Sequence, residues 1–216
     1  MEEPHRIKSE LFDLLSLGFL YPSGGTAEAT GNGYLNALQA RISELEKGFD
    51  GAQDMRAESD TAGESYPEAP RAESMLEREK EYTRLFVNAY PRVVAPPYGS
   101  VYMDGKGLVW GESTSKVLNL YMAAGLEMVE GYHDVPDHIA AELAFASYLQ
   151  SRMEPGDEIC AACYVELIDE HLSRWALPFL KKVEENTRSP FYRTLARLTR
   201  EVIRVEAMAL TTGRMS

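Results

Sequence analysis

The feature that most constrains the fold is a helix start followed by a long helical stripe near the C-terminus. Ser189-Pro190 joins a residue suited to accept from free amides to a proline suited to a first helical turn. Phe191, Leu195, Leu198, Val202, Val205 and Ala209 then recur in alternating steps of four and three. An α-helix turns once in about 3.6 residues, so all six fall on one side. A strand would scatter them over both faces. Arg193, Arg197, Arg200 and Arg204, with Glu201 among them, take the opposite side. That side reads as a solvated surface with internal ion pairs and, secondarily, as a partner surface.

The same period recurs upstream. Leu11, Phe12, Leu14, Leu15 and Phe19 predict a helix over 5–20, ended by Tyr21-Pro22-Ser23-Gly24-Gly25. Tyr34, Leu38, Ile42 and Leu45 predict a second, closed by Gly48, and Met75, Tyr82, Leu85, Phe86 and Ala89 a third over 73–89. Ser113 or Thr114 is placed to cap a helix carrying Val117, Leu118, Tyr121 and Met122 as far as Gly125. Asp134 or Asp137 is placed at the start of another, whose apolar face is Ile139, Leu143, Ala146, Leu149 and Met153 and whose stop is Pro155-Gly156. A further helix is expected from Glu158 to Trp175, with a short piece after Pro178. The expectation is an all-α chain, one globular bundle of about seven or more helices spanning 1–216. Residues 48–74 are polar, acidic and nearly free of aliphatic side chains. They read as a mobile insert, since such a segment cannot offset its chain entropy by burial.

Charge and leader signals narrow the function. The formal net charge is −12, which opposes non-specific nucleic-acid binding and favours approach of a basic partner. The start, MEEPHRIK, has no basic n-region, and Asp13, Ser16 and Gly18 interrupt the apolar run behind it. Neither a signal peptide nor a membrane span is expected. Two cysteines make no disulfide framework, and the cytoplasm is the expected location.

Residues 81–102, EYTRLFVNAYPRVVAPPYGSVY, begin as a helix end and become a proline-punctuated loop with many aromatic side chains. Tyr82, Leu85 and Phe86 lie on the helical stripe and read as core. Pro96 and Pro97 force extended backbone, and Tyr98, Ser100 and Tyr102 after them could line a groove for a peptide. Val101-Tyr102-Met103 and Leu108-Val109-Trp110 around Asp104-Gly105-Lys106-Gly107 read as a small hairpin or irregular excursion.

Three weaker signals point to chemistry. Gly105-Lys106-Gly107 lacks the spacing of a phosphate loop. Cys160 and Cys163 have metal or redox spacing without a second such pair, and His171 with His138 could extend a half-site only if the fold joined them. Two buried helical cysteines are the plainer reading. Asp137-His138, with Glu142 one turn on, could be an acid–base pair, or a helix cap with a histidine bonded to a neighbouring loop. A nucleotide- or metal-dependent hydrolase using Gly105-Lys106-Gly107 or Cys160/Cys163 is the alternative function these signals would support.

FLYPSG at 19–24, EYTRLF at 81–86, PPYGSVY at 96–102, MDGKGLVWGEST at 103–114, YMAAGL at 121–126, PDHIAAELAF at 136–145 and EHLSRWALPF at 170–179 occur in that order. In this series the chain resembles the TorD/DmsD/NarJ family of cytoplasmic chaperones for molybdenum-containing redox enzymes. The resemblance implies an all-helical protein that is not an enzyme and has no cofactor of its own. It implies binding of a client oxidoreductase subunit, or its twin-arginine leader, until the client's molybdopterin cofactor is in place, by a monomer or homodimer. It also implies a peptide-binding region of Leu85, Phe86, Pro96, Pro97, Tyr98, Ser100, Asp137 and His138, to which Tyr102, as a groove residue, and Glu142, as a carboxylate, are added on their own chemistry. Asp137 and Glu142 are then candidate partners for the leader's arginines. Tyrosine stands where some members carry tryptophan in the LF helix, and the Cys160/Cys163 pair and acidic insert lie outside the motif.

Overall fold

The computed structural model describes residues 3–31, 33–47, 73–105, 107–127, 135–153 and 156–214. Among them the regular structure is helical, as the periodicity requires, and the β-type pairing recorded is an isolated bridge between Tyr98 and His138. The acidic insert, apart from Glu73 and Ser74, lies outside the described residues, as do Asp134 and Lys106.

α1 (Glu3–Gly18) buries Leu11, Phe12 and Leu15 completely and packs chiefly along α7 (Ile139–Arg152). Small residues let the two helices approach. Ser9 Oγ meets Ser147 Oγ at 3.1 Å, and the Ser16 hydroxyl donates to the Ala140 carbonyl at 2.8 Å. Gly18, the last residue of α1, has no room for a side chain, since a Cβ there would stand 2.7 Å from the Leu195 side chain. α2 (Gly24–Ala29), which starts on the last two residues of the Tyr21–Gly25 turn, is a single short helix, and α3 (Tyr34–Lys47) follows.

α4 (Met75–Tyr82) starts at a capping box, Ser74 and Glu77 each accepting from the other's amide, and passes into a π-turn over Thr83–Val87. Phe86 stands among Phe19, Tyr82, Phe179 and Tyr192, with ring centroids 4.9–6.4 Å away. This aromatic cluster joins the end of α1, α4 with its π-turn, and the helices of Phe179 and Tyr192 in one core.

Four expectations are corrected. Val101-Tyr102-Met103 form no hairpin; they belong to a short helix, α5 (Gly99–Met103). α6 (Glu112–Ala123) is preceded by Gly111, and its free amides are met from outside: the Asp104 carboxylate accepts from Ser113 N at 3.2 Å. Ser113 and Thr114 are thus inside the first turn. α7 is capped by His138, whose Nδ1 accepts from Ala140 N at 3.1 Å, and not by Asp137. Finally, Glu158 onward does not break before Pro178. α8 (Glu158–Val165), a π-turn (Glu166–Leu172) and α9 (Ser173–Asn186) run on without interruption. Pro178 sits on the exposed side of α9, where the carbonyl it deprives of a donor can face water.

α10 (Pro190–Arg214) packs chiefly along α9, with Arg200 forked onto Glu184 at 2.7 and 3.0 Å. Its buried Glu206 takes a bond from Lys8 at 2.7 Å and one from the Tyr164 hydroxyl at 2.8 Å, tying the two ends of the chain together. No described helix is long and apolar enough to cross a membrane.

Candidate functional site

The proline loop is short of donors, since neither Pro96 nor Pro97 has an N–H, so its carbonyls and flanking amides must secure it. Ala95 N donates to the Leu85 carbonyl at the π-turn at 2.9 Å. Ile139 N donates to the Pro97 carbonyl, and Gly99 N to the Asp137 carbonyl, each at 2.9 Å. The Tyr98–His138 bridge results, with the two rings edge to face at 5.3 Å. The loop is therefore fastened to the π-turn at one end and to the start of α7 at the other.

Beneath it lies a cluster of buried polar groups. Asp137 is fully buried, and its Oδ2 accepts from Ser100 N at 2.6 Å and from the Thr114 hydroxyl at 3.1 Å. Glu142 is likewise fully buried. Its carboxylate meets His171 Nε2 at 2.8 Å and accepts from the Trp175 indole N–H at 3.0 Å. Burial raises the Glu142 carboxyl above its usual range, against the pull of His171 and Trp175. Burial opposes charge on His171, yet the Glu142 carboxylate beside it wins and the imidazole is raised as well.

The proline loop and the Asp137–Ile139 segment come together, and the residues singled out from sequence differ in burial. Leu85, Phe86, Pro97, Ser100, Asp137, His138 and Glu142 are buried, while Pro96, Tyr98 and Tyr102 are half-buried. Tyr102 stacks on Trp175 at 5.9 Å and has the Lys182 ammonium over its ring at 4.8 Å. Tyr90, in the same loop, is fully exposed. Asp137 and Glu142, expected as candidate partners for an arginine, are both sequestered, and the bonds just described engage them inside the protein. Trp175 and Gly99 are parts of the site that the sequence did not single out, and His171, weighed there only as a half-site partner of His138, meets Glu142 instead. The available signal was the i, i+4 placement of His171 and Trp175 within EHLSRW, which puts both on one helical face.

The other candidates stay apart. His138 caps α7 and His171 serves Glu142, so they form no half-site together. Cys160 and Cys163 are free and buried; burial, with Asp157 nearby, pushes the Cys160 thiol up to about 11. Among the described residues no group of three or more metal-ligating side chains assembles. Gly105 and Gly107 have positive φ, and Leu108, Val109 and Trp110 beyond them are exposed.

Residues 36–181 match the family model described as nitrate reductase delta subunit. The chaperone protein TorD of Shewanella pealeana is 26% identical over 62% of this chain and 61% of its own length. The Tat proofreading chaperone DmsD of Salmonella typhi is 28% identical over 55% of each. The chain thus spans less than two thirds of these curated relatives. A solved structure from Archaeoglobus fulgidus, assigned provisionally to redox enzyme maturation, superposes with a TM-score of 0.51 at 25% identity, covering 94% of this chain and 95% of that one.

Proposed function

Since this chain belongs to the nitrate reductase delta subunit family, we propose that it is a maturation chaperone. Its client is a molybdopterin-dependent oxidoreductase, bound through the twin-arginine leader or the apoprotein and held for cofactor insertion before export or assembly. It acts in the cytoplasm, does no catalysis and carries no cofactor of its own.

The observation that carries this reading is that Pro96, Tyr98 and Tyr102 stay half-buried on a backbone pinned at both ends. Aromatic rings on fixed backbone offer a large contact area with little rotamer entropy left to lose, which suits an apolar leader segment. The net charge of −12 steers a leader bearing two arginines toward the surface. The arginines find carboxylates outside Asp137 and Glu142. Release must follow binding, so affinity near micromolar, about −8 kcal/mol, is the expected range.

The test is titration of the protein with a twin-arginine leader peptide, together with pull-down and identification of the co-purifying chain. Micromolar binding that weakens in Tyr98→Ala, and recovery of a molybdoenzyme subunit, support the proposal. Recovery of an unrelated polypeptide alone, with no leader bound, overturns it.

A further inference from the structure

We infer that the Glu142–His171–Trp175 triad is the seat on which α5 is placed, making His171 and Glu142 positioning residues for the loop. The inference rests on the reading of Pro96–Tyr102 as a wall that contacts the client.

α5 has five residues, far below the dozen or so at which an isolated helix becomes even marginal. Its placement must come from what it touches. On one side it touches the triad directly. A Cβ built on Gly99 would stand 3.1 Å from Trp175 Nε1 and 3.2 Å from His171 Nε2, the two atoms that meet the Glu142 carboxylate. The glycine thus lies on the pair of nitrogens, and their positions are set by Glu142. At the other end of α5, Tyr102 stacks on the same indole. Any shift of the triad is passed to both ends of the helix, and through Gly99 to Tyr98 and Pro96.

Stability alone does not explain a buried polar triad. Buried polar pairs replaced by apolar groups of similar volume are often neutral or better. What two directed bonds to one side chain supply is fixed geometry. Glu142 gives each of its oxygens to one ring nitrogen, so one side chain holds both of the nitrogens against which Gly99 lies.

The experiment uses the full chain in a Trp110→Phe background, because the chain has two tryptophans and Trp110 is the exposed one. Gly99→Ala adds a methyl against the two nitrogens and deletes no hydrogen bond. Glu142→Gln keeps an acceptor for the indole and offers a donor to neutral His171. The readouts are acrylamide quenching of Trp175, hydrogen exchange at the Ser100 amide and the Trp175 indole N–H, and helical circular dichroism.

The expected result for Gly99→Ala is exchange at least tenfold faster at both sites and increased quenching, with helicity retained. Glu142→Gln should stay within about twofold of the parent on all three. Parental exchange in Gly99→Ala would overturn the inference, and so would a global loss of helicity, since a local seat moves without unfolding the bundle. These readouts need no client. If the parent binds no leader, the proposed function fails while the seat is still judged. If the parent binds, Gly99→Ala should bind at least tenfold more weakly, and unchanged affinity would sink the positioning role.

Discussion

Asp137 caps a helix to which it does not belong. Its Oδ2 accepts from Ser100 N at 2.6 Å, 37 positions back along the chain, while its neighbour His138 caps α7. Two adjacent residues thereby fasten two helices, and the carboxylate is wholly buried in doing so. Asp137→Ala leaves both Ser100 N and the Thr114 hydroxyl without this acceptor. The expected loss is about 1–3 kcal/mol, seen as a lower urea midpoint with an unchanged slope. Leader affinity should fall too, although the side chain has no surface to offer a peptide.

Phe86 and Tyr98 separate anchoring from contact. Phe86 is buried among four aromatic rings, so Phe86→Ala should cost about 3–5 kcal/mol of stability. Tyr98 is half-buried, and its ring meets His138 at the loop. Tyr98→Ala should leave the unfolding midpoint within about 1 kcal/mol of the parent while weakening leader binding roughly tenfold. Paired denaturation and calorimetric titration on both variants check this. Equal effects of the two substitutions on both measurements would contradict the division.

Glu81 makes the protein sensitive to acid. Its carboxylate accepts from Arg84, from the Arg188 amide at 2.6 Å and from the Thr187 hydroxyl at 3.1 Å, holding the turn before α10. Burial pushes its pKa up, but these partners together win, and the carboxyl sits below the ordinary 4.5. A lowered pKa means stability that is complete above the unfolded value and drains as pH falls through the folded one. Melting temperature should therefore decline below pH of about 4.5, and Glu81→Gln should lose stability at neutral pH and flatten that decline. A parental slope in Glu81→Gln would assign the acid sensitivity elsewhere.

Cys160 should be inert while the protein is folded. It is buried on α8, and its thiol is pushed up to about 11 from 9.0. The thiolate is the reacting species, so native alkylation should run on the order of a hundredfold slower than for the unfolded chain. Iodoacetamide labelling with and without denaturant measures this.

The sequence by itself determined the helical class and most of the buried side chains. Phe191, Leu195, Leu198 and Val202, like Leu11, Phe12 and Leu15, are buried as their spacing demands, because amphipathic periodicity is a local signal that one hydrophobic interior satisfies. It also brought the right segments into view for the site, 81–102 and 136–142, though not the duties of their residues. Asp137 before Ile139 looked like the cap of the helix that follows it, and only the tertiary structure turned its carboxylate to Ser100. Glu142 looked available to an arginine until His171 and Trp175, from a helix far along the chain, closed over it. Val101–Met103 looked extended because α5 is too short to carry a helical pattern, and it exists through contacts made elsewhere. Capping and burial of charge depend on which partners arrive in space, and a pattern of spacings along one chain does not encode that.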